Sequence, residues 1–292
     1  MDIADLIKPV EWAALDQTCS HAGITRKNTY VRCLRETATT AFNAMIYEPV
    51  VCLVVQGGKE IIAGGQTVIA TQGDAVIVSH DVPIVSRITG ADAKMPYLAA
   101  IIPIDLELLR SIDGEIQAEG YDDASTSVVH SHIASPALVD AVGRYLHLEQ
   151  STIEGRVLAP VLLKEIHYHL LLAPNGGMLR QLLAPASIPS QINTAIGLIR
   201  ESYSESLSIP ELADRVNMSA SAFYKNFKRV TGTSPLQFQK DLRLVDARNR
   251  LTSQARSVSE VCFEVGYESP AQFSREYARK FGTSPKHDLV RQ

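Results

Sequence analysis

The 292-residue sequence has no long apolar run, and its first segment, MDIADLIKPVEW, carries two acids before the first basic residue. A secretory signal needs basic residues followed by an apolar stretch, and a membrane-spanning helix needs about 20 predominantly apolar residues. Neither is indicated here. We therefore expect a cytoplasmic protein that makes no membrane contact.

Cysteine is scarce as well. The four cysteines, Cys19, Cys33, Cys52 and Cys262, are widely separated and form no C-x-x-C pair. Zinc sites and redox pairs need such close spacing, so buried reduced thiols are the favoured interpretation. Cys33 and Cys52 fall in or beside predicted strands, and a thiol of this kind is also a candidate sensor of oxidants or electrophiles.

Histidine patterns typical of metalloenzymes are missing too. A cupin metal site needs His-x-His with a third histidine and a carboxylate, whereas His80 is the only histidine of the β-rich part and His21 precedes it. His167 and His169 are two apart on a predicted helix, so they point to different faces. We predict no catalytic residue, no metal and no other cofactor, with His80 hydrogen-bonded or facing solvent.

The net charge of −4 is unevenly distributed along the chain. Residues 190–292 hold 15 Lys and Arg against 11 Asp and Glu, whereas residues 1–189 hold 13 against 21. The length predicts about two domains. A basic C-terminal part is compatible with phosphate binding, although such an excess is weak evidence alone.

Short runs rich in Val and Ile predict β-strands between about residues 30 and 104. They include VVCLVVQ, QTVIA, DAVIVS and YLAAIIPI, and Gly, Asp and Pro turn signals separate them. Several short strands at this spacing are typical of a β-sandwich or barrel.

The pattern then becomes helical. From Ser135 to Leu172 apolar residues recur at helical spacing, which predicts two helices joined near Thr152 to Gly155. These helices either pack only within the chain or present an apolar stripe to a partner helix. The following stretch, PNGGMLRQLLAPASIPS, ends in Pro185 and Pro189 and is the predicted linker.

The most informative feature is an internal repeat that begins at Ser208 and again at Ser257. Positions match at an offset of 49 residues, and after one extra residue, Glu268, at an offset of 50. Ile209, Leu212, Ala213 and Val216 match Val258, Val261, Cys262 and Val265; Ser219, Phe223 and Phe227 match Ser269, Phe273 and Tyr277; both copies end in GTSP. A register held over this length indicates two copies of one structural unit.

Each copy predicts a short helix, a turn and a longer helix. In the first copy Asn217 tolerates left-handed geometry at the turn, and Ser219 is placed as an N-cap. In the second copy Gly266 takes the turn, Ser269 is the cap, and Gln272 is expected to complete a capping box. Two helix-turn-helix units are therefore predicted.

The outer faces of the two longer helices supply candidate DNA contacts, because their aromatic residues at i, i+4 spacing form the buried stripe. Arg and Lys can address guanine edges, Gln adenine, and Tyr or Ala the thymine methyl group. The candidates for base contacts are Ala220, Ser221, Tyr224 and Lys225 in the first copy and Ala271, Gln272 and Arg275 in the second. The candidates for phosphate contacts are Lys228, Arg229, Arg279 and Lys280.

Between the copies, PLQFQKDLRLVDARNRLTS predicts one helix of about 20 residues that Ser234 caps. Such a helix spans roughly 30 Å, close to the ~34 Å pitch of a DNA duplex. The two longer helices could thus enter successive major-groove segments on one face. An all-helical bundle that binds nothing is the alternative.

The segment from SIPELADRVNMSASAFYKNFKRVTGTSP to SVSEVCFEVGYESPAQFSREYARKFGTSP closely resembles the AraC/XylS DNA-binding domain, over about residues 190–290. The matching motif pieces are Arg243-Leu244-x-x-Ala247, Gly266-Tyr267 and Gln272-Phe273-Ser274-Arg275. YEPVVCLVVQGGKEIIAGGQ and LAPVLLKEIHYHLLLAPNGGMLRQL resemble one subgroup of this family. Ser221 and Tyr224 stand where members often have His or Trp and further polar groups, so the operator sequence cannot be carried over.

The resemblance implies an α+β protein with three parts: a cupin-like effector-sensing barrel in residues 1–134, a helical dimerisation pair and linker in 135–189, and a double helix-turn-helix domain in 190–292. The expected function is that of a sequence-specific transcription activator. Its expected partners are promoter DNA, RNA polymerase, a second copy of the chain and a small-molecule effector, a reactive aldehyde or another metabolite. A cupin-type metalloenzyme with a DNA-binding tail and an architectural DNA-binding protein are the alternatives.

Overall fold

The computed structural model describes residues 1–19, 30–63, 66–116, 128–148, 152–174, 176–184, 187–253 and 257–289. His21 and Pro185, which carried predictions, lie outside these residues. A 3-10 turn, Ile3–Leu6, precedes the first helix. The strands are β1 (Arg32–Glu36), β2 (Asn43–Tyr47), β3 (Val50–Gln56), β4 (Gly58–Ala63), β5 (Gln66–Thr71), β6 (Asp74–Val78), β7 (Val82–Gly90), β8 (Tyr97–Pro103) and β9 (Val129–Ile133). The helices are α1 (Ile7–Cys19), α2 (Leu106–Ile116), α3 (Pro136–His147), α4 (Ile153–Leu171), α5 (Gly176–Leu183), α6 (Ile188–Glu201), α7 (Ile209–Arg215), α8 (Ala220–Thr231), α9 (Pro235–Ser253), α10 (Val258–Glu264), α11 (Pro270–Phe281) and α12 (Pro285–Leu289).

The N-terminal part contains two antiparallel sheets that face each other. One sheet has the strand order β1-β8-β3-β6-β9, and the other has the order β2-β7-β4-β5. The α+β fold class is confirmed, as are the strands predicted between residues 30 and 104. Strand β9 was not predicted, because VHSHI is short and lacks a Val- and Ile-rich run.

Strand β3 shows why a continuous apolar run folds as a strand here. Alternate side chains of a strand point to opposite faces. Val51, Leu53 and Val55 enter the core beneath the helices, whereas Cys52 and Val54 enter the core between the two sheets. Since both faces are covered, no position of β3 before Gln56 needs a polar side chain.

Helices α3 and α4 lie close to their predicted positions, and the side chains of Ser135 and Thr152 cap their N-termini. They pack with α1 and α5 over the outer face of the five-stranded sheet. The segment predicted as a linker contains helix α5, whose Leu179 and Leu182 are buried, and its role as a linker stays a prediction. The glycines and prolines around this short apolar helix are typical of a linker in sequence, whereas its buried leucines are typical of a core element.

Helix α6 continues this packing into the C-terminal part. Pro189 lies in its first turn, where a missing N–H group is harmless. Ile192, Ile196 and Ile199 belong to one hydrophobic core. The same core contains residues that lie between the two sheets and residues of the first helix-turn-helix unit. The β domain and the first unit are therefore packed directly against each other.

No single helix of the described ranges is long and apolar enough to span a membrane. The pair α5 and α6 passes that test only when taken together, and the two helices are bent by 70° relative to each other.

Candidate nucleic-acid interface

The first helix-turn-helix unit is formed by α7 and α8. Asn217 adopts φ 55° at the turn between them, as predicted for a residue that tolerates left-handed geometry. Ser219 caps α8, since its hydroxyl oxygen accepts the N–H of Ala222 at 3.3 Å. Gly232 ends the helix with φ 74°. These local signals fix where α8 starts and stops.

The second unit is formed by α10 and α11, and its turn requires glycine. Gly266 has φ 88°, and a Cβ atom there would overlap the backbone of Ser204. Ser269 caps α11 through the N–H of Gln272 at 3.3 Å. The sequence did not anticipate the full capping box of α10, between Ser257 and Glu260.

The expected capping-box role of Gln272 is wrong, because its side chain turns along the helix instead. Its Nε2 donates to Glu276 Oε1 at 3.1 Å. The same carboxylate accepts hydrogen bonds from Tyr267 Oη and Lys240 Nζ. Burial raises the pKa of Glu276, but these hydrogen bonds lower it more, so the net pKa is lowered. The ionised carboxylate is therefore favoured over the protonated acid. Glu276 therefore orients Gln272 on the outer face of α11.

Aromatic side chains hold each long helix against its neighbours. Phe223 and Phe227 are fully buried with ring centroids 5.5 Å apart, and Phe227 meets Phe238 of α9 edge-to-face at 5.4 Å. In the second unit Phe273 and Tyr277 are fully buried at 5.6 Å. The predicted i, i+4 stripes are thus confirmed as the buried faces, and the opposite faces of α8 and α11 are left for solvent or a partner.

One arginine of α9 connects the two units. Arg243 donates to the backbone carbonyls of Tyr203 at 2.6 Å, Glu205 at 2.6 Å and Gly266 at 2.7 Å. Tyr203 and Glu205 precede the first unit, whereas Gly266 is the turn of the second. Gln239, also on α9, donates to the carbonyls of Tyr203 and Glu205. The guanidinium therefore joins the segment that precedes the first unit to the turn of the second unit.

The outer faces of α8 and α11 carry the predicted base contacts as exposed side chains. All seven are exposed in the folded chain: Ala220, Ser221, Tyr224, Lys225, Ala271, Gln272 and Arg275. Arg275 lies three residues after Gln272 and four after Ala271, so the three share one face of α11. The β domain covers neither face. Their roles at DNA stay predictions.

Three of the four predicted phosphate contacts, Lys228, Arg229 and Arg279, are exposed. The fourth, Lys280, is placed differently from what its sequence position suggested. Its side chain is only 14% exposed, and its Nζ pairs with Asp241 of α9 at 2.7 Å. In the folded chain Lys280 therefore ties α11 to α9, and a phosphate would have to compete with Asp241.

A separate cavity of about 760 Å³ lies between the two sheets of the β domain. Its apolar walls include Met45, Ile46, Val50, Ile88, Ile101 and Pro103. Its polar lining includes Lys59, Tyr47 and Ser86, together with the charged residues Arg32, Glu36, Glu48, Arg87 and Arg200. A mostly apolar cavity with a few convergent polar groups is typical of a small-molecule site.

The cavity also touches the C-terminal part. Its lining includes Arg200 of α6, which pairs with Asp81 and, at 3.5 Å, with Glu48 of the β domain. Asn43, another lining residue, accepts a hydrogen bond from Arg248 of α9 at 3.4 Å. One wall of the cavity is therefore in direct contact with the helices that carry the two helix-turn-helix units.

Comparison with known families covers both parts of the chain. Residues 29–178 match the family described as the AraC-type transcriptional regulator N-terminus, and this match alone spans half of the sequence. The chain belongs to the AraC-type transcriptional regulators. Residues 212–289 of this AraC-type regulator match a helix-turn-helix domain, which agrees with the two units seen in the structure.

Curated relatives resemble the DNA-binding part of the regulator. The raffinose operon transcriptional regulatory protein RafR of Pediococcus pentosaceus is 36% identical over 97 residues, which are 33% of this chain and 35% of RafR. The HTH-type transcriptional activator RhaS of Escherichia fergusonii is 31% identical over 97 residues, 33% of this chain and 35% of RhaS. The matches thus span about a third of the length of these relatives.

Solved structures extend the likeness to the fold of the whole chain. Wild-type ToxT from Vibrio cholerae, in a crystal structure with bound unsaturated fatty acid, superposes with a TM-score of 0.59. The superposition covers 91% of this chain and 97% of ToxT at 11% sequence identity. At this identity the likeness shows a shared two-domain fold.

His80 and Cys33 of the AraC-type regulator are buried. His80 is buried and hydrogen-bonded to Ser79 Oγ and the carbonyl of Pro189, and burial lowers its pKa to about 4. Burial raises the pKa of Cys33 to about 12, so its thiol stays protonated and unreactive. Within the described ranges no group of three His, Cys, Asp or Glu side chains could hold a metal ion.

Three residues of the regulator make contacts or line the cavity in ways that the sequence did not indicate. Arg243 appeared only as a motif residue, because its carbonyl partners lie 23 to 40 residues away. Lys59 sits in the run GGKEII with no flanking pattern to mark it. The sequence around Arg200 does not indicate that its side chain lines a cavity. No local signal reveals contacts that only the tertiary fold creates.

Proposed function

We propose that this regulator binds double-stranded DNA by placing α8 and α11 in successive major-groove segments. The observation that carries the proposal is the pair of exposed helix faces held apart by one rigid helix. Helix α9 has 19 residues and spans about 28 Å, close to the ~34 Å pitch of a duplex. A helix of this length could hold α8 and α11 in two successive segments of the major groove on one face of the DNA.

The predicted contacts divide into two roles. The exposed side chains of the first two turns of α8 and α11 are proposed to read base edges, and Arg275 and Lys225 are suited to guanine. Lys228, Arg229 and Arg279 are proposed to contact phosphates. Gln272 is proposed to pair with adenine through its Oε1 and one hydrogen of Nε2, which leaves the second Nε2 hydrogen for Glu276.

The cavity in the β domain is proposed as the effector site. Residues 1–134 then form the sensing domain, 135–189 the helical pair and linker, and 190–292 the DNA-binding domain. An effector in the cavity would contact Arg200 and press on β2, whose Asn43 holds Arg248 of α9. Occupancy could in this way shift α6 and α9 relative to the sheets, provided the two arrangements bind the effector differently.

The output of the regulator is proposed to be activation of transcription, with RNA polymerase as a partner at the promoter. The support is that RhaS, a relative of the DNA-binding part, is named a transcriptional activator. Such a protein acts on DNA in the cytoplasm and has no enzymatic reaction of its own.

A homodimer is proposed through α4. Ile153, Val157 and Val161 are 74%, 60% and 59% exposed at i, i+4 spacing, and Tyr168 and Leu172 extend the apolar surface. An exposed apolar stripe on one helix face is suited to pairing with an identical helix about a twofold axis.

Replacing Val161 by Glu is expected to shift the protein from dimer to monomer, because a paired stripe would bury the new carboxylate without a partner. Sedimentation equilibrium of the full chain measures the change in mass. Ile69→Glu is the matched control, since Ile69 is 68% exposed on β5, away from the stripe. A wild-type monomer, or a Val161→Glu dimer as stable as wild type, would rule out this interface.

DNA binding itself is tested with a gel shift on the region upstream of the gene and on an unrelated fragment of equal length. We expect tighter binding to the upstream region and weakening of both complexes as salt rises, because phosphate contacts release counterions. Equal affinity for the two fragments at every salt concentration would contradict sequence-specific recognition.

A further inference from the structure

The most unusual group in the cavity is Lys59. It lies on β4 with only 5% of its surface exposed, and it lines the cavity between the sheets. Its Nζ donates to Tyr47 Oη at 2.7 Å. The Tyr47 hydroxyl is in turn 3.4 Å from Ser86 Oγ. Three polar groups that can all donate hydrogen bonds thus converge on one part of the cavity.

Lys59 has no anionic partner in the described part of the chain. Glu60 follows Lys59 in the chain and pairs with Arg87, and Glu48 lines the cavity and pairs with Arg200. Glu36 also lines the cavity but makes no ion pair with Lys59. Burying an ammonium group without a counterion is costly, and such groups are normally paired. The pKa of Lys59 is nevertheless raised, because Cys52 and Tyr47 outweigh the lowering by burial. Lys59 is therefore a cation at neutral pH.

Packing does not require a charge at this position. The neighbouring strand positions Ile61 and Ile88 fill similar space with hydrocarbon. An uncharged residue would be accommodated at lower cost, as replacements of buried charges by apolar residues have shown. The Lys59 ammonium group is therefore available to a ligand that enters the cavity.

On this basis, which rests on the cavity being the effector site, we propose that the effector is an organic carboxylate. Its carboxylate group is bound by Lys59, Tyr47 and Ser86, and its apolar body lies against Met45, Ile88 and Ile101. A carboxylate offers about four lone-pair sites, enough for these three donors. A neutral aldehyde or sugar would leave the ammonium group without a counterion.

The test compares matched ligands on the full chain by titration calorimetry. The probes are octanoate and phenylacetate, each with its amide and its aldehyde. We expect at least one carboxylate to bind, and its amide and aldehyde to bind about ten-fold more weakly, which is the effect of one charged hydrogen bond. Binding of neither carboxylate, or equal binding of the neutral counterparts, overturns the proposal.

Variants assign the effect to the residue. Lys59→Met should weaken carboxylate binding by about ten-fold and leave the amide unaffected. Lys94→Met is the control, since Lys94 is exposed in the turn between β7 and β8. If Lys59→Met fails to fold, Tyr47→Phe serves instead and should show a smaller loss for the carboxylate alone. Full carboxylate affinity in a folded Lys59→Met protein overturns the proposal.

The same samples are assayed for DNA binding without any ligand. Loss of sequence-specific DNA binding in the wild type would contradict the proposed function and would not bear on the cavity. Absence of a carboxylate preference in a protein that binds its DNA would contradict only the present inference.

Discussion

Replacing Arg243 by Met is expected to lower the free energy of unfolding of the DNA-binding part by about 2 to 4 kcal/mol, since hydrogen bonds to a charged donor contribute about 1.5 to 3 kcal/mol each. Met keeps the length of the side chain but has no donor. Gln239 still serves the carbonyls of Tyr203 and Glu205, so the main loss falls on the carbonyl of Gly266. Denaturant unfolding of the full chain measures the change.

The same substitution is expected to weaken DNA binding by about ten-fold at every sequence, because the turn of the second unit is held less firmly against the segment before the first unit. Arg215→Met is the control, since Arg215 is exposed on α7 of the same domain. An Arg243→Met protein with unchanged stability and unchanged DNA affinity would show that the three hydrogen bonds do not couple the units.

Replacing Arg275 by Ala is expected to cost about 1 to 3 kcal/mol of binding free energy at a single base pair, and to leave discrimination at the other positions intact. Arg275 is exposed and shares the outer face of α11 with Ala271 and Gln272. A bidentate guanidinium reads one guanine, so only that position should lose its preference. Competition with all single-base variants of the bound site measures the pattern.

Arg279→Ala is the matched comparison for Arg275→Ala, because Arg279 lies one turn further along the same helix. It should weaken binding uniformly across sequences, and it should reduce the slope of log affinity against log salt concentration by about one. If Arg275→Ala behaves in the same uniform way, Arg275 is a phosphate contact and its assignment to a base is wrong.

The double helix-turn-helix could be predicted because its signals are local. Ser219 and Ser269 cap their helices through N–H groups three residues away, and Asn217 and Gly266 adopt positive φ at the turns. Because the same signals occur in both copies of the repeat, each copy supports the assignment of the other. The strands were predictable for a similar reason, since apolar runs such as that of β3 reflect burial on both faces.

Features that depend on competition between partners could not be predicted. The side chain of Gln272 was expected to complete a capping box with Ser269, but it donates instead to the carboxylate of Glu276, one turn further along α11. Lys280 was expected to be free, but Asp241 of α9 reaches it. Strand pairing brings Lys59 and Ser86 into one cavity from positions 27 residues apart. Each outcome is decided by tertiary neighbours.

Hydroxyl-radical footprinting of the upstream DNA tests most directly whether both helix-turn-helix units read DNA together. Two protected patches about 10 base pairs apart on one face of the duplex are expected, because α9 separates the two helices by about one helical turn. A single protected patch, or protection that runs evenly around the duplex, would contradict the proposed arrangement of α8 and α11 on DNA.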